Sequence, residues 1–168
     1  MKAVTSLSPA RSGSVRLRSG GTERHDLVTQ LMNAALLQAF RGGGCRVFTH
    51  NRKLLFPQDG NVYYPDLMVS CSRNAHRHHE VDASFIIEVV SPANTPGELH
   101  DKLIHYQLVP SIVAIVFVDP DKRVATVHER RMTEWTERQV ASGVLTLGSA
   151  HMDLDEIFAE ADATAVAD

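Results

Sequence analysis

Residues 85–90 read FIIEVV, an apolar and β-branched run that is interrupted by one acidic residue, Glu88. A continuous apolar run of this length is typical of a strand that is buried on both faces of a sheet. Strand alternation places Ile86, Glu88 and Val90 on one face. An ionised carboxylate in such a strand is unfavourable unless a cation meets it. For one isolated Glu, a partly exposed edge position or an internal ion pair is the favoured interpretation.

The residues that follow this run predict a helix and a second buried strand. After residues 91–96, apolar residues recur at helical spacing until Pro110. The apolar positions on one side of this helix are Leu99, Leu103 or Ile104, and Leu108. Residues 112–118 then form another continuous apolar run. Two buried strands that are separated by a helix indicate a right-handed crossover, and hence parallel pairing.

The residues before this run predict one helix and three short strands. Thr22 is the predicted N-cap of the helix, and residues 42–44, which are all glycine, end it. The predicted strands are CRVFT (45–49), KLLF (53–56) and VYYPDLMVSC (62–71), and residues 72–82 are predicted to be a polar loop.

The C-terminal part of the chain predicts further antiparallel strands and a final helix. The strands are expected at residues 124–129, 135–140 and 144–147, and the helix at residues 153–159, with Asp153 as its N-cap. The fold class is therefore α/β, with a mixed sheet that is flanked by helices.

The length and composition indicate one folded domain. The chain has 168 residues, of which 43% are hydrophobic and 22% charged, which excludes a repeat array, a coiled coil and a disordered chain. Residues 1–20 are rich in Ser and Gly and predict a flexible N-terminal tail. Residues 21–160 are then the single domain, and residues 161–168 are expected to be a flexible C-terminal tail.

The charge and the cysteines indicate the environment and the partners. A formal net charge of -3 excludes nucleic-acid wrapping by bulk positive charge, so that any such contact must be local. The basic residues available for it are Arg11, Arg16, Arg18, Arg41, Arg46, Arg52 and Lys53. No signal peptide or membrane-spanning run is recognised, so we expect a cytoplasmic protein that does not enter a membrane. Cys45 and Cys71 form no CxxC motif, and we expect neither a disulfide nor a zinc cluster.

A second acidic residue, Asp66, favours a functional role for Glu88. Asp66 stands directly before the apolar run LMVSC (67–71), and adjacent strands can bring Asp66 and Glu88 together at one end of the sheet. Two convergent carboxylates, completed by a strand carbonyl and by waters, are how proteins hold magnesium or manganese. The alternative for Asp66 is a turn cap after Pro65.

The helix after Glu88 carries a cation and a phenol on one face. Lys102 and Tyr106 are four residues apart, so both side chains could face the carboxylates. In a site that cleaves phosphodiesters, such a lysine would position or deprotonate the attacking water. A lysine on a helix is otherwise usually solvated, and Glu88 and Lys102 could also form a purely structural ion pair that binds no metal.

Taken together, these segments resemble the Uma-two family, which is grouped with the restriction endonucleases. The resemblance rests on GGTERH (20–25), YYPDLMVSC (63–71), FIIEVVSPANT (85–95), ELHDKLIHYQLVPSI (98–112), VFVDPDKRVATVHER (116–130) and Trp135. It covers residues 20–158, and the family's Gly-Gly-x-x-x-His helix start places its histidine on His25. In the parent PD-(D/E)XK pattern, a lysine stands two residues after the Glu. This position is Val90 here, so Lys102 on the helix must take the role of that lysine.

The resemblance implies the restriction-endonuclease-like fold and a magnesium- or manganese-dependent endonuclease that hydrolyses DNA. Asp66 and Glu88 would then bind the metal, the Val89 carbonyl would add a ligand, and Lys102 would orient the water. Tyr106 would support the lysine or a phosphate. DNA is the implied partner, and nucleases that cut both strands commonly form homodimers.

Three questions stay open at this point. The family's N-terminal hairpin is not present, and an inactive module that keeps the fold and binds DNA or a protein is the alternative function. His25 could reach the site as a supporting group or contact phosphate, or it could simply decorate the helix N-terminus. The loop residues His76, His78 and His79 could bind zinc or nickel, although a solvated loop is the more common outcome.

Overall fold

The computed structural model of the chain describes residues 21–73 and 76–165. Its helices are α1 (Glu23–Phe40), α2 (Pro96–Gln107) and α3 (Leu154–Thr164). Its strands are β1 (Arg46–Thr49), β2 (Lys53–Leu55), β3 (Val62–Tyr63), β4 (Leu67–Ser70), β5 (His79–Glu80), β6 (Phe85–Val89), β7 (Ala114–Asp119), β8 (Val124–Arg131), β9 (Glu134–Val140), β10 (Val144–Leu147) and β11 (Ala150–Asp153). The predicted tail of residues 1–20 lies outside the described residues.

Six strands form a mixed sheet in the order β1-β4-β6-β7-β8-β9. The neighbours β6 and β7 run parallel, and the other neighbouring pairs of this sheet run antiparallel. Helix α2 connects the two parallel strands, as the sequence predicts. The apolar run that contains Glu88 is thus an internal strand, and the predicted α/β fold with a mixed sheet and flanking helices is confirmed.

Each face of the sheet is covered by helices and has its own apolar core. On one face, α1 and α3 contribute residues such as Met32 and Phe158, which pack with Ile87 and Val89. On the other face, Tyr106 of α2 packs with Ile86 and with residues of the neighbouring strands. Strand alternation therefore directs Glu88 toward α2 and Val89 toward α1.

Local sequence explains where the two helices next to the site begin. Thr22 caps α1, since its Oγ1 accepts a hydrogen bond from the His25 N–H at 3.2 Å. Thr95 and Glu98 form a capping box at the start of α2, and Pro96 occupies the first turn. The caps thus fix the residues at which both helices begin. They thereby fix the positions of His25 and Lys102 along the two helices.

The predicted apolar face of α2 is only partly right. Lys102 and Tyr106 are the buried residues of this helix, whereas Ile104 is 43% and Leu108 59% exposed. Hydrophobicity alone predicts that the stripe of Leu99, Leu103 or Ile104, and Leu108 faces the core. The buried carboxylate of Glu88 attracts a cation and a phenol instead, and their burial rotates the helix away from the purely apolar stripe.

Four strand and helix assignments need correction. The predicted strand 62–71 is two strands, because Pro65 has no N–H to donate and residues 64–66 leave the ladder. The predicted loop 72–82 contains β5, which pairs in parallel with β2, and β11 forms an unpredicted hairpin with β10. Helix α3 continues to Thr164, beyond the predicted end at residue 159, because Ala161 is buried against the core.

Two of the arginines nominated for nucleic-acid contact have another role. The Glu80 side chain is fully buried and accepts hydrogen bonds from Arg46 (3.0 Å) and Arg52 (3.1 Å). A buried carboxylate needs such partners, so that both guanidinium groups serve the fold here.

No helix within the described ranges has the length and apolar character that crossing a bilayer requires.

The expectation that the cysteines are unpaired is wrong in this structure. Cys45 and Cys71 form a disulfide, and their Cα atoms are 4.0 Å apart. The pairing register explains the contact, because Arg46 of β1 lies opposite Ser70 of β4 and the next pair along the two strands is Cys45 and Cys71. Sequence spacing could not show this, since it depends on which strands are neighbours.

We predict that replacing both Cys45 and Cys71 with Ser lowers the free energy of unfolding of the oxidised protein by about 3 kcal/mol, because the bond closes a loop between residues 26 positions apart. Denaturant unfolding checks this. In the presence of a reductant the two proteins should be equally stable. A wild type that keeps two titratable thiols after treatment with an oxidant would contradict the pairing.

Candidate active site

Asp66 and Glu88 meet at the end of two adjacent strands. Leu67 of β4 pairs with Ile87 of β6, so that the next pair in the same register is Asp66 and Glu88. Both side chains are buried, with 5% and 3% of their surface exposed. The Oδ2 atom of Asp66 accepts a hydrogen bond from the Val89 N–H at 2.9 Å. The structure therefore brings together the two carboxylates that the sequence singles out.

Glu88 is held by the two predicted residues of α2. The Lys102 Nζ donates to Glu88 Oε2 at 2.6 Å, and the Tyr106 hydroxyl donates to Oε1. Lys102 is 8% exposed and Tyr106 is fully buried. The carboxylate, the ammonium and the phenol thus form one buried triad between the sheet and α2.

Burial is the main influence on the protonation of Glu88. It raises the pKa of Glu88 above the ordinary value, since a charged carboxylate loses its hydration there. The charge of Lys102 acts in the opposite direction, and the nearby charge of Asp66 raises the pKa further. Two carboxylates in one low-dielectric site therefore favour an added positive charge.

His25 of α1 reaches the same site from the other side of the sheet. Its Nε2 lies 3.5 Å from Asp66 Oδ2, and its side chain is 17% exposed. The hydrogen bond to Asp66 is the largest of the causes that raise the pKa of His25. Burial works to raise the pKa of Asp66, but His25 and the Val89 N–H together bring it below the ordinary value.

Gly21 lies against the His25 ring. A Cβ atom built at Gly21 would stand 2.5 Å from His25 Nδ1 and 2.8 Å from its Cγ, which is closer than real contacts allow. Any side chain at position 21 would therefore displace the ring. This contact gives a physical reason for a glycine four residues before the histidine.

The donor atoms at this site are those that a divalent cation prefers. Asp66 and Glu88 supply carboxylate oxygens, and the Val89 backbone lies next to both. Across the described ranges 21–73 and 76–165, no three His, Cys, Asp or Glu side chains converge closely enough to hold a metal ion. The reason is visible in the triad, since Glu88 is turned toward Lys102 and Tyr106. The residue types of the site suit a divalent cation, and in this structure the Glu88 carboxylate is bonded to Lys102 and Tyr106.

Other histidines of the described residues have different surroundings. The rings of His76 and His79 stack, with centroids 4.6 Å apart, and His100 is exposed. His105 contacts Tyr63, whose hydroxyl lies 3.2 Å from its Nδ1.

Tyr63 is a neighbour of the site that sequence reasoning missed. Its ring lies 5.7 Å from that of Tyr106, and burial raises the pKa of Tyr63. An aromatic residue in a strand ordinarily indicates core packing, and its place three residues before Asp66 was the one available signal.

Comparisons with known proteins bear on this arrangement. A family model described as Uma2, putative restriction endonuclease, matches residues 11–157. The chain belongs to the Uma2 family. A solved structure described as a putative nuclease belonging to DUF820, from Anabaena variabilis, is similar to this Uma2 protein with a TM-score of 0.68 at 15% identity. The similarity covers 87% of this chain and 84% of the other. No curated protein matches the chain.

The family and the fold support a nuclease. The predicted resemblance to the Uma2 family is confirmed, and the structural similarity confirms the nuclease fold. The matched residues include Asp66, Glu88, Lys102 and Tyr106, and also His25. The roles of these five residues in this Uma2 protein stay predictions.

We predict that Lys102→Met lowers the free energy of unfolding by about 3 kcal/mol, because it leaves the buried Glu88 carboxylate without its cation. The double variant Glu88→Gln/Lys102→Met should recover most of this loss, since neither charge remains. Thermal and denaturant unfolding measure both effects. Lys122→Met is the control, because the Lys122 side chain is 78% exposed and the loss of its pair with Asp119 should change the stability little. Equal stabilities of Lys102→Met and the control would contradict a buried pair.

We predict that Asp66→Asn lowers the pKa of His25 in the metal-free protein, because the largest cause of its elevation is removed. In the wild type, the folded pKa of His25 lies above the unfolded value of about 6.5. The stabilisation by this pair is therefore present below that value and is lost as the pH rises through the folded pKa. Proton NMR of the His25 ring in EDTA follows the titration. Identical midpoints in the two proteins would disprove the coupling.

Proposed function

We propose that this Uma2 protein is a metal-dependent endonuclease that hydrolyses DNA phosphodiester bonds with magnesium or manganese. The observation that carries the proposal is the apposition of Asp66 and Glu88 at the end of adjacent strands, with Lys102 against Glu88. Carboxylates from neighbouring strands beside a lysine are a suitable donor set for a cation and a phosphate. The family and the fold agree with this assignment at the level of a nuclease.

Each residue of the site has a role in the proposal. Asp66 and Glu88 hold the cation, and the Val89 carbonyl is a further ligand. A bound divalent cation acts as a Lewis acid that stabilises negative charge on the phosphate. Lys102 orients the attacking water, because its ammonium is fixed at the edge of the carboxylate pair. Tyr106 holds Lys102 in place through Glu88 or contacts a phosphate.

His25 supports Asp66 in this proposal or contacts a phosphate. Its imidazole lies at the carboxylate on the side opposite Lys102, so positive charge is available on both sides of the pair. A substrate phosphate brings negative charge into a buried site that already holds two carboxylates. The cation and these two side chains offset that charge.

DNA is the proposed substrate, and a local group of basic side chains must contact its phosphates. Arg46 and Arg52 are engaged by Glu80, so that of the arginines nominated within the described residues Arg41 is the exposed one. We also propose a cytoplasmic homodimer, in which each copy cuts one strand. A reducing cytoplasm would keep Cys45 and Cys71 as thiols, and thiol titration of protein taken from cells tests that location.

A second candidate is an inactive module that keeps the fold and binds DNA or a protein partner. The observation in its favour is that Lys102 and Tyr106 engage both carboxylate oxygens of Glu88. A purely structural ion pair predicts no metal binding. An inactive module predicts binding of DNA or a protein without cleavage.

We predict that Asp66→Asn, Glu88→Gln and Lys102→Met each reduce DNA cleavage by at least about 100-fold, because each removes a group that meets the developing charge. Nicking of supercoiled plasmid in magnesium or manganese measures the rate. Circular dichroism must show that each variant is folded at the assay temperature, since the Lys102 change destabilises the chain. The exposed carboxylate variant Glu137→Gln is the matched control and should retain wild-type activity. Unchanged cleavage by folded Glu88→Gln would refute the assignment.

A further inference from the structure

We infer that the imidazole of His25 is a direct ligand of the cation that Asp66 and Glu88 are proposed to hold, so that the site prefers manganese to magnesium. The inference rests on the proposed function and deepens it, because it names which cation the site selects. It also replaces the general supporting role of His25 by a specific one.

The distance between His25 and Asp66 matches two ligands of one ion. The His25 Nε2 and Asp66 Oδ2 atoms are 3.5 Å apart. A direct hydrogen bond between such atoms is ordinarily about 2.9 Å long. Two donor atoms that each lie about 2.1 Å from the same ion stand roughly 3.0 to 3.5 Å apart, depending on the angle at the ion. The separation is at the long limit of a hydrogen bond, and it also matches two ligands of one shared cation.

The ring of His25 is oriented by its surroundings. Its Nδ1 edge faces Gly21, where a Cβ atom would collide with it, and its Nε2 atom faces Asp66. The Thr22 cap fixes the first turn of α1, on which His25 stands. A nitrogen that is aimed at a buried carboxylate from a fixed helix start is a preorganised donor.

The groups around His25 place its imidazole next to the other proposed ligands. Asp66 already accepts the Val89 N–H, and the Val89 backbone also contributes to raising the pKa of His25. The imidazole thus borders the carboxylate and the strand segment whose carbonyl is the proposed third ligand. On the opposite side of the site, Lys102 already pairs with Glu88. Glu88 therefore does not need His25 as a second positively charged partner.

The donor chemistry determines the preferred metal. An oxygen-only set is suited to magnesium, which coordinates imidazole poorly. A mixed set of carboxylate, carbonyl and imidazole favours transition metals, of which manganese also accepts carboxylates and carbonyls readily. The presence of His25 in the ligand set therefore predicts a selectivity that Asp66 and Glu88 alone would not produce.

The test is a comparison of manganese and magnesium binding to the full chain by calorimetry, without DNA. The wild type should bind manganese at least about 10-fold more tightly than magnesium. His25→Gln should weaken manganese binding by about 10- to 100-fold and change magnesium binding much less. Gly21→Ala, which keeps the imidazole but displaces it, should weaken manganese binding in the same direction. His151→Gln, at an exposed histidine of β11, is the control.

A spectroscopic measurement separates ligation from a structural role. Pulsed electron paramagnetic resonance of the manganese complex should show coupling to an imidazole nitrogen, and His25→Gln should abolish it. Absence of this coupling in the wild type, or unchanged manganese affinity in His25→Gln, would overturn the inference. If Asp66→Asn still abolishes manganese binding in that case, the proposed function stands. A wild type that binds neither ion would contradict the inference and count against the proposed function as well.

Discussion

The carboxylate of Glu88 is buried in the middle of the central sheet, and the structure around it is organised to meet that charge. A buried carboxylate without partners would destabilise the fold by several kcal/mol. Helix α2 therefore presents Lys102 and Tyr106 to the sheet and leaves Leu108 largely in solvent. The capping box at Thr95 fixes where this helix begins, and hence which of its residues reach Glu88.

The site also lies where the helices on the two faces of the sheet come together. Val89 points to the layer of α1, so that the end of β6 is approached by helices from both faces. Asp66 lies where they meet, because Pro65 interrupts the strand just before it. Its carboxylate bonds the Val89 N–H and faces His25. A site that forms at the end of two strands thus gathers residues that are far apart in the chain.

Much of this arrangement could be predicted from the sequence, for reasons that are local. The apolar run of β6, the crossover through α2 and the cap at Thr22 each depend on short-range patterns. Lys102 and Tyr106 were identifiable because helical spacing places them on one face.

The features that the sequence could not predict depend on which strands are neighbours. The Cys45–Cys71 disulfide requires the β1–β4 register, and the burial of Glu80 requires the parallel pairing of β5 with β2. Neither pairing leaves a periodic signal. The contact between Gly21 and His25 is similar, since the sequence motif contains the glycine but only the folded structure places the His25 ring against it.

The proposed function requires that Asp66 and Glu88 together hold one divalent cation. Calorimetric titration of the wild type and Glu88→Gln with magnesium, and then with manganese, measures this binding. We expect binding at one site per chain in the wild type and its loss in Glu88→Gln, while the fold is retained. Equal binding by the two proteins would contradict the claim, because the cation would then not depend on Glu88.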